Sequence, residues 1–553
     1  MPDSSLDLQD NSAIDNTAIL DRAMNWLRID GRNARRLKWA FFLCVCAYFG
    51  CLATLKTAPM TYYGHDIFLL LDGGWRIVNG QVPYRDFYLA LGPLEYMNVA
   101  VGMLLTHSSP LSIEIGNVVF GIVIGIWGWL VARQRMLLVP ALMVTAWLIL
   151  MATCPTPISL NSSVLSYAMI YNRHGYALLG IVLVECAFAS DKSRFTGGLS
   201  SGIALILLAF LKLNFFGGAF MMLLVTVPLK REEMPRLCGL LTGIFCALAA
   251  FACYLRFAIF AFLSDMRIAI QARSHKLDLS GAFGDEVAGR GETLSLLVLT
   301  MIVLLLIAPG KLRKASTVRV FLLGVMVIAS GPLFVRSNCD ETGCQLATLW
   351  AIILIALLVK AYSVAREKIA ISALVVLSVA GTVALFFQEA ESVRSLIHSQ
   401  TSAMRATGWS VTGDGMERLK FYDVVGNKTD FRYDNGRLLV DHVNDGLELL
   451  QRSSTQDETV LPLGFQNPFS YILRRKPALG GSPWLICGDN IPVNQLFDPS
   501  SVFGNADLIM TAHYPNSNQK SDARLNDYYH SYLEQHFTFV ASSQWWTLYR
   551  RNK

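Results

Sequence analysis

The sequence predicts a polytopic α-helical membrane protein of about 11 transmembrane helices, with a long first outer loop and a C-terminal extracytoplasmic α/β domain. Three observations carry this. Of 553 residues, 53% are hydrophobic and only 16% are charged, where soluble domains carry about a quarter. Apolar runs of spanning length recur down the chain, and mean hydropathy is +0.41. The last stretch, 389–553, is polar, rich in Asn, Asp and Ser, and has no such run. The net charge of +6 is modest for the length and does not point to nucleic acid.

Residues 1–37 read as a cytoplasmic N-terminal tail. They open polar and acidic, and the first apolar run follows "RNARRLK" (32–38), which is not the order of a signal peptide. A transmembrane domain is expected over 38–388. Its runs lie near 38–57, 112–132, 136–153, 172–190, 196–213, 215–229, 237–262, 293–309, 318–336, 344–362 and 369–388. The pair within 196–229 can also be one broken element.

"ALGPLEYMNVAVGMLL" (90–105) is apolar but short and carries Glu95. Counted as a span, it would set the first basic cluster against the five later ones. Left out, "RNARRLK", "ARQR", "DKSR", "KREEMPR", "GKLRKASTVR" and "KAYSVAREK" share one side, as positive-inside loops do. It is therefore expected to lie on or dip into the outer surface. The first outer loop is 57–112, and further outer loops fall at 154–176 and 264–292. The protein is expected as a multi-pass component of the inner (plasma) membrane, N-terminus cytoplasmic and C-terminal domain periplasmic.

In that domain "DETVLPLGF", "ADLIMTAHY" and "FTFVASSQWWTLYR" read as strands and "VNDGLELLQRSS" as a helix. Trp545 and Trp546 read as packing residues rather than a sugar platform. Among the 11 cysteines none has zinc spacing, so no cofactor is expected and a divalent metal is not indicated. Cys339 and Cys344 flank a short loop, where a disulfide and two free thiols are both open.

Ionisable groups gather at the outer ends of the spans, where they usually mark a site. The first loop supplies Asp66, Asp72, Arg76, Arg85, Asp86 and Glu95. Later segments supply Arg173, His174, Lys212, Asn214, Arg336, Arg267, Arg273, His275 and Lys276. In the loop itself, "HDIFLLLDGGWRIVNG" reads as a helix from about Asp66 to a stop at Asn79-Gly80. "VPYRDF" reads as extended, because Pro83 biases its predecessor. "GP" at 92–93 opens the next helix. Both helices are expected to rest on the bilayer, with Asp72 solvated, Arg76 snorkelling and Gly73-Gly74 allowing close packing.

The pattern of an aspartate near the loop's start, a short helix, "G-x-x-PYRDF" and then "GP" resembles the GT-C class of integral-membrane glycosyltransferases. That class includes the protein O-mannosyltransferases and the aminoarabinose and arabinose transferases. The resemblance implies a polyprenyl-phosphate sugar donor and inverting transfer to an acceptor hydroxyl, in cell-envelope glycan or glycolipid assembly. The acceptor would be a glycan, lipid or protein. By position, Asp66 matches the general base. Asp86, its catalytic companion in the pattern, would bind acceptor or brace the loop. His65 stands where relatives often place a second acid. Arg173, Lys212 and Arg336 would meet the lipid phosphate, with Tyr84, Arg85, His174 and Asn214 lining the substrate site. A transporter or flippase of lipid-linked saccharide is the alternative, and an assembly or sensor protein ranks behind both.

Overall fold

A computed structural model describes residues 29–156, 164–188, 194–226, 233–273, 298, 301–302, 315–335, 345–362, 389–423, 436–494, 496–512 and 519–552. Most of the predicted span 293–309 lies outside them. So do 369–388, His275, Lys276, Arg336, Cys339 and Cys344.

The helical part runs α1 (Gly31–Ala53), a short strand β1 (Ala58–Met60), α2 (Asp66–Val78), α3 (Leu94–Thr106), α4 (Ser112–Ala132), α5 (Leu138–Thr153) and α6 (Ile170–Ala187). It continues with α7 (Arg194–Ala209), α8 (Leu213–Thr226), α9 (Met234–Tyr254), α10 (Ile259–Arg273), α11 (Ala315–Val335) and α12 (Leu346–Tyr362). Among the described residues α1, α4 and α9 are each long and apolar enough to cross a membrane. Helices α5, α7 and α8 and the centres of α11 and α12 are shorter apolar helices. The chain is a multi-pass membrane protein.

Two expected spans divide. The run 196–229 is two helices, α7 and α8, with Lys212 in the break between them. The run 237–262 ends its first helix at Tyr254. Arg256 and Phe257 then turn the chain with φ of 49° and 65°, and α10 begins. Helix α6 is buried almost throughout. The polar residues at its two ends therefore face protein rather than lipid.

The C-terminal region contributes β2 (Leu419–Phe421), α13 (Gly436–Ser453), β3 (Val460–Leu463), β4 (Leu508–Ala512), α14 (Gln519–His536), β5 (Phe537–Ser542) and β6 (Trp546–Arg551). Strands β3 to β6 form one sheet in the order β3-β4-β6-β5, with β3 and β4 parallel and the other pairings antiparallel. Central β4, "LIMTA", is buried along its whole length, which fits its near-continuous apolar run. Pro462 sits in β3 at the sheet's edge, where a missing donor is tolerated. Helix α13 buries Val440, Val443, Leu447 and Leu450, one amphipathic stripe. Trp546 packs edge-on to Phe469 and donates to the His442 carbonyl.

Helix α2 of the first loop does not lie on the surface, whereas α3 keeps Val101, Leu104 and Leu105 exposed. Helix α2 is enclosed between the bundle and the C-terminal region. β1 pairs in parallel with β2, Ala58 opposite Leu419 and Met60 opposite Phe421. Helix α2 packs on α3 across Gly73 and Gly74. A Cβ at Gly73 would stand 2.0 Å from the Tyr96 ring, and one at Gly74 2.8 Å from Val99. That bears out the close packing expected of the pair.

On its other side α2 meets the C-terminal region through charge. Asp72 and Arg76, one turn apart, are both fully buried, with Arg76 Nε 2.8 Å from Asp72 Oδ2. Asn467 donates to Asp72 Oδ1 at 3.0 Å. Arg76 also donates to Gln81 and to the carbonyls of Ala478 and Gly480, and lies over the Phe87 ring. Trp75 donates to the Arg475 carbonyl. This corrects three expectations: Asp72 is not solvated, Arg76 does not snorkel, and the helix carrying them is not a surface helix. The i,i+4 spacing places the two charges on one helix face. Backbone carbonyls of the C-terminal region then take up the guanidinium's Nη1, while Asp72 takes up Nε.

Removing one member of a buried pair leaves an uncompensated charge and costs about 3–5 kcal/mol. Arg76→Ala should therefore unfold well below the wild type in a thermal melt of the purified full chain. Asp72→Leu combined with Arg76→Met should recover a large part of that loss, because both charges leave together.

Candidate functional site

The site is built on the turn that leads into α2. Tyr63 takes φ 48°, and its carbonyl accepts the Asp66 N–H at 3.0 Å. Gly64 lies against Phe421 of β2. His65 is buried, its Nε2 3.1 Å from Asp66 Oδ1. Its ring meets Phe465, on the turn after β3, edge-on at 4.7 Å. The Asp66 side chain keeps 17% of its surface open. The strand paired with β1 just before this turn, β2, and the turn carrying Phe465 both belong to the C-terminal region.

The rest of the loop braces itself. "VPYRDF" is not extended but a tight turn closed by a bridge between Pro83 and Phe87, with Tyr84 at φ 66°. The reason is Asp86, whose Oδ2 accepts the Val82 N–H at 2.7 Å and the Arg85 guanidinium at 2.7 Å. Burial alone would raise the Asp86 carboxyl. Arg85 and the Val82 N–H outweigh it and hold Asp86 below its ordinary range. Tyr84 donates to the Leu91 carbonyl at 2.7 Å. The Asp86 carboxylate and the Tyr84 hydroxyl are thus engaged within their own loop, while the Asp86 carbonyl accepts from the Gly480 N–H at 2.7 Å.

The "GP" stretch ties the loop to the bundle. Gly92 and Leu94 donate to the carbonyls of Leu211 and Phe210, each at 3.0 Å. A Cβ at Gly92 would stand 1.9 Å from the Phe210 oxygen, so only glycine fits. Glu95, buried, reaches His174 Nδ1 at 2.6 Å. His174 Nε2 faces the Ala152 carbonyl at 3.0 Å. A carbonyl only accepts, so that nitrogen carries a proton, and Nδ1 and Glu95 share another.

Three consecutive residues of α6 thus fix three neighbours. Asn172 accepts from Lys212 Nζ at 2.9 Å. The lysine lies over the Tyr171 ring at 5.2 Å, in the break between α7 and α8. Arg173 donates to the carbonyls of Leu150, Met151 and Thr156, near the end of α5, and pairs with Glu389 at 2.8 Å. A phosphate contact was expected of Arg173; here its guanidinium is engaged by these carbonyls and Glu389. Asn214 accepts the Phe215 N–H at the start of α8.

At the opposite end of α6, Glu185 pairs with Arg135, and its carbonyl accepts from Arg236. Two of the predicted basic clusters therefore meet there, away from the loop. Among the described residues no group of three His, Cys, Asp or Glu could hold a metal ion.

Sequence reasoning missed Asp265, Glu389 and the 464–467 turn. Asp265 of α10 accepts the Leu89 N–H at 3.3 Å, while Phe262 of the same helix meets Tyr84 edge-on. Burial pushes the Asp265 carboxyl up to about 7, opposed by the Leu89 N–H. A lone aspartate among cations gave no signal for this.

No family model matches the chain, and no curated protein does. Among solved structures it is similar to ArnT from Cupriavidus metallidurans, a crystal structure in the apo state. Identity is 10%, and the match covers 94% of this chain and 98% of that one, with a TM-score of 0.37. Overlap at that level carries no argument about chemistry.

A carboxyl whose folded value is raised contributes stability below its unfolded value and loses it as pH climbs through the folded one. For Asp265 that loss falls between the ordinary value of 3.8 and about 7. The melting temperature of the wild type should fall across this window. Asp265→Asn, which still accepts from Leu89, should lose the part of the fall that Asp265 causes.

Proposed function

We propose that the chain is a membrane glycosyltransferase that moves a sugar from a polyprenyl phosphate to an acceptor hydroxyl at the outer face of the inner membrane. The observation that supports it best is Asp66. It is a partly open carboxylate, paired with His65, at the start of a helix clamped on both sides. In this reading Asp66 takes the proton from the acceptor hydroxyl. The acceptor oxygen attacks the anomeric carbon from the face opposite the phosphate. The carbon–oxygen bond to phosphate breaks, the configuration inverts, and polyprenyl phosphate leaves with the electron pair.

Lys212 is the proposed cation for that leaving charge. It is 7% exposed, and its Nζ donates to the Asn172 carboxamide in the break between α7 and α8. It sits beside the Phe210 and Leu211 carbonyls that anchor the loop. Arg173 supports the bundle from its pairing with Glu389, and Asp86 braces the loop. Asn172, His174 and Glu95 position the surrounding helices. No metal is invoked.

A positioned general base is worth about 10²–10⁴-fold. In membranes supplied with a polyprenyl-phosphate hexose and a lipid extract as acceptor source, Asp66→Asn should lose transfer by at least about 10²-fold. Lys212→Met should lower donor use. Full transfer by a folded Asp66→Asn variant would overturn the assignment. Movement of the donor across the bilayer with no release of polyprenyl phosphate would instead favour the transporter reading.

A further inference from the structure

The turn after β3, "GFQNP" (464–468), belongs to the C-terminal region yet lies along α2. Phe465 meets the His65 ring, and two residues on Asn467 donates to Asp72. His65, Leu69, Asp72 and Arg76 share one face of the helix turn by turn. Gln466 is held between the two contacts and so over that face. It is 8% exposed, and its Oε1 is buried with no hydrogen-bond partner among the described residues. Asn467 is 2% exposed, and its Oδ1 is equally unpartnered. The orientation of Asn467 follows from its neighbours, because Asp72 can only accept and must face the NH₂ group.

Buried acceptors without a donor cost about 1–3 kcal/mol each, and native proteins keep few of them without a reason. Here two occur side by side, on the one turn that reaches the Asp66 residue pair. Around the pair are three aromatic rings, Tyr62, Tyr63 and Phe465, and the open carboxylate of Asp66. Acceptor oxygens, a carboxylate and aromatic faces together call for a ligand that donates several hydrogen bonds from one compact body. A single serine or threonine hydroxyl would supply one donor. A sugar ring supplies adjacent hydroxyls, one to the base and others to the amide oxygens.

We propose that the seam between the 464–467 turn and the His65–Asp66 turn is the acceptor subsite, that it takes a saccharide, and that Gln466 Oε1 accepts from a ring hydroxyl next to the one that reacts. This rests on the transferase reading for its place in the reaction. The binding it asserts can be measured without turnover.

The test uses the full chain in lipid nanodiscs and saturation-transfer NMR. The probes are methyl glycosides of glucose, galactose, mannose and N-acetylglucosamine, with an N-acetyl-serine amide as the peptide comparison. The wild type should transfer saturation to at least one glycoside and not to the serine probe. The signal is read with no sugar donor present, so it does not depend on transfer, which separates this proposal from the catalytic one. Gln466→Met keeps the shape but removes the unpartnered oxygen. It should lose the signal at least tenfold while melting at or above the wild-type temperature. Gln466→Ala serves as the second variant and should lose the signal likewise. The proposal is overturned by no glycoside signal in the wild type, by an unchanged signal in a folded Gln466 variant, or by a stronger signal from the serine probe. An unchanged signal in Gln466→Met with a raised melting temperature would mean that the buried oxygen takes no part in binding.

Discussion

The buried pair of Asp72 and Arg76 is the constraint on which the rest depends. Two charges with no exposed surface hold only if every neighbour cooperates, and the neighbours come from residues some 400 positions away: the Asn467 amide and the carbonyls of Ala478 and Gly480. Once those are in place, α2 has one orientation. Its first residue, Asp66, then has one as well. Cutting the chain near residue 390 would remove those partners and strip the first loop of its support.

The same loop is also tied to the bundle, by different chemistry. Gly92 and Leu94 bond to the α7–α8 break, Glu95 reaches His174, and the Tyr96 ring fills the notch over Gly73. Helix α2 is thus clamped from the C-terminal region on one face and from α3 on the other. The polar residues of α6 that look like a phosphate cradle mostly serve this clamp. Beside the clamp lie a carboxylate next to an imidazole, Asp66 and His65, and a buried lysine in a helix break, Lys212.

Much of the architecture was legible because periodicity and turn residues are local. The helix from Asp66 stops at Asn79-Gly80, where Gly80 takes φ +82°. "GP" opens α3, and "ADLIMTAHY" and "FTFVASSQWWTLYR" hold the strands β4 to β6. Asp66 falls at the head of α2, where the sequence placed it. What could not be read was partnership at long range. Asp72 and Arg76 resemble surface charges in any window around them, and nothing local says that Ala478 and Gly480 will meet them. Arg173 looked like a phosphate ligand for the same reason, with Glu389 over 200 residues away. The "VPYRDF" turn was missed because the Asp86 side chain, not proline, decides its shape.

The central claim is that the first loop and the C-terminal region form one cooperative body that sets Asp66. Hydrogen exchange on the full chain tests it directly, comparing wild type with Arg76→Ala at the α2 amides (66–78) and at the β2 amides (419–421). The account predicts that both segments are protected in the wild type and that both lose protection together in the variant. Loss in α2 with β2 unchanged, or fast exchange in β2 from the outset, would contradict it.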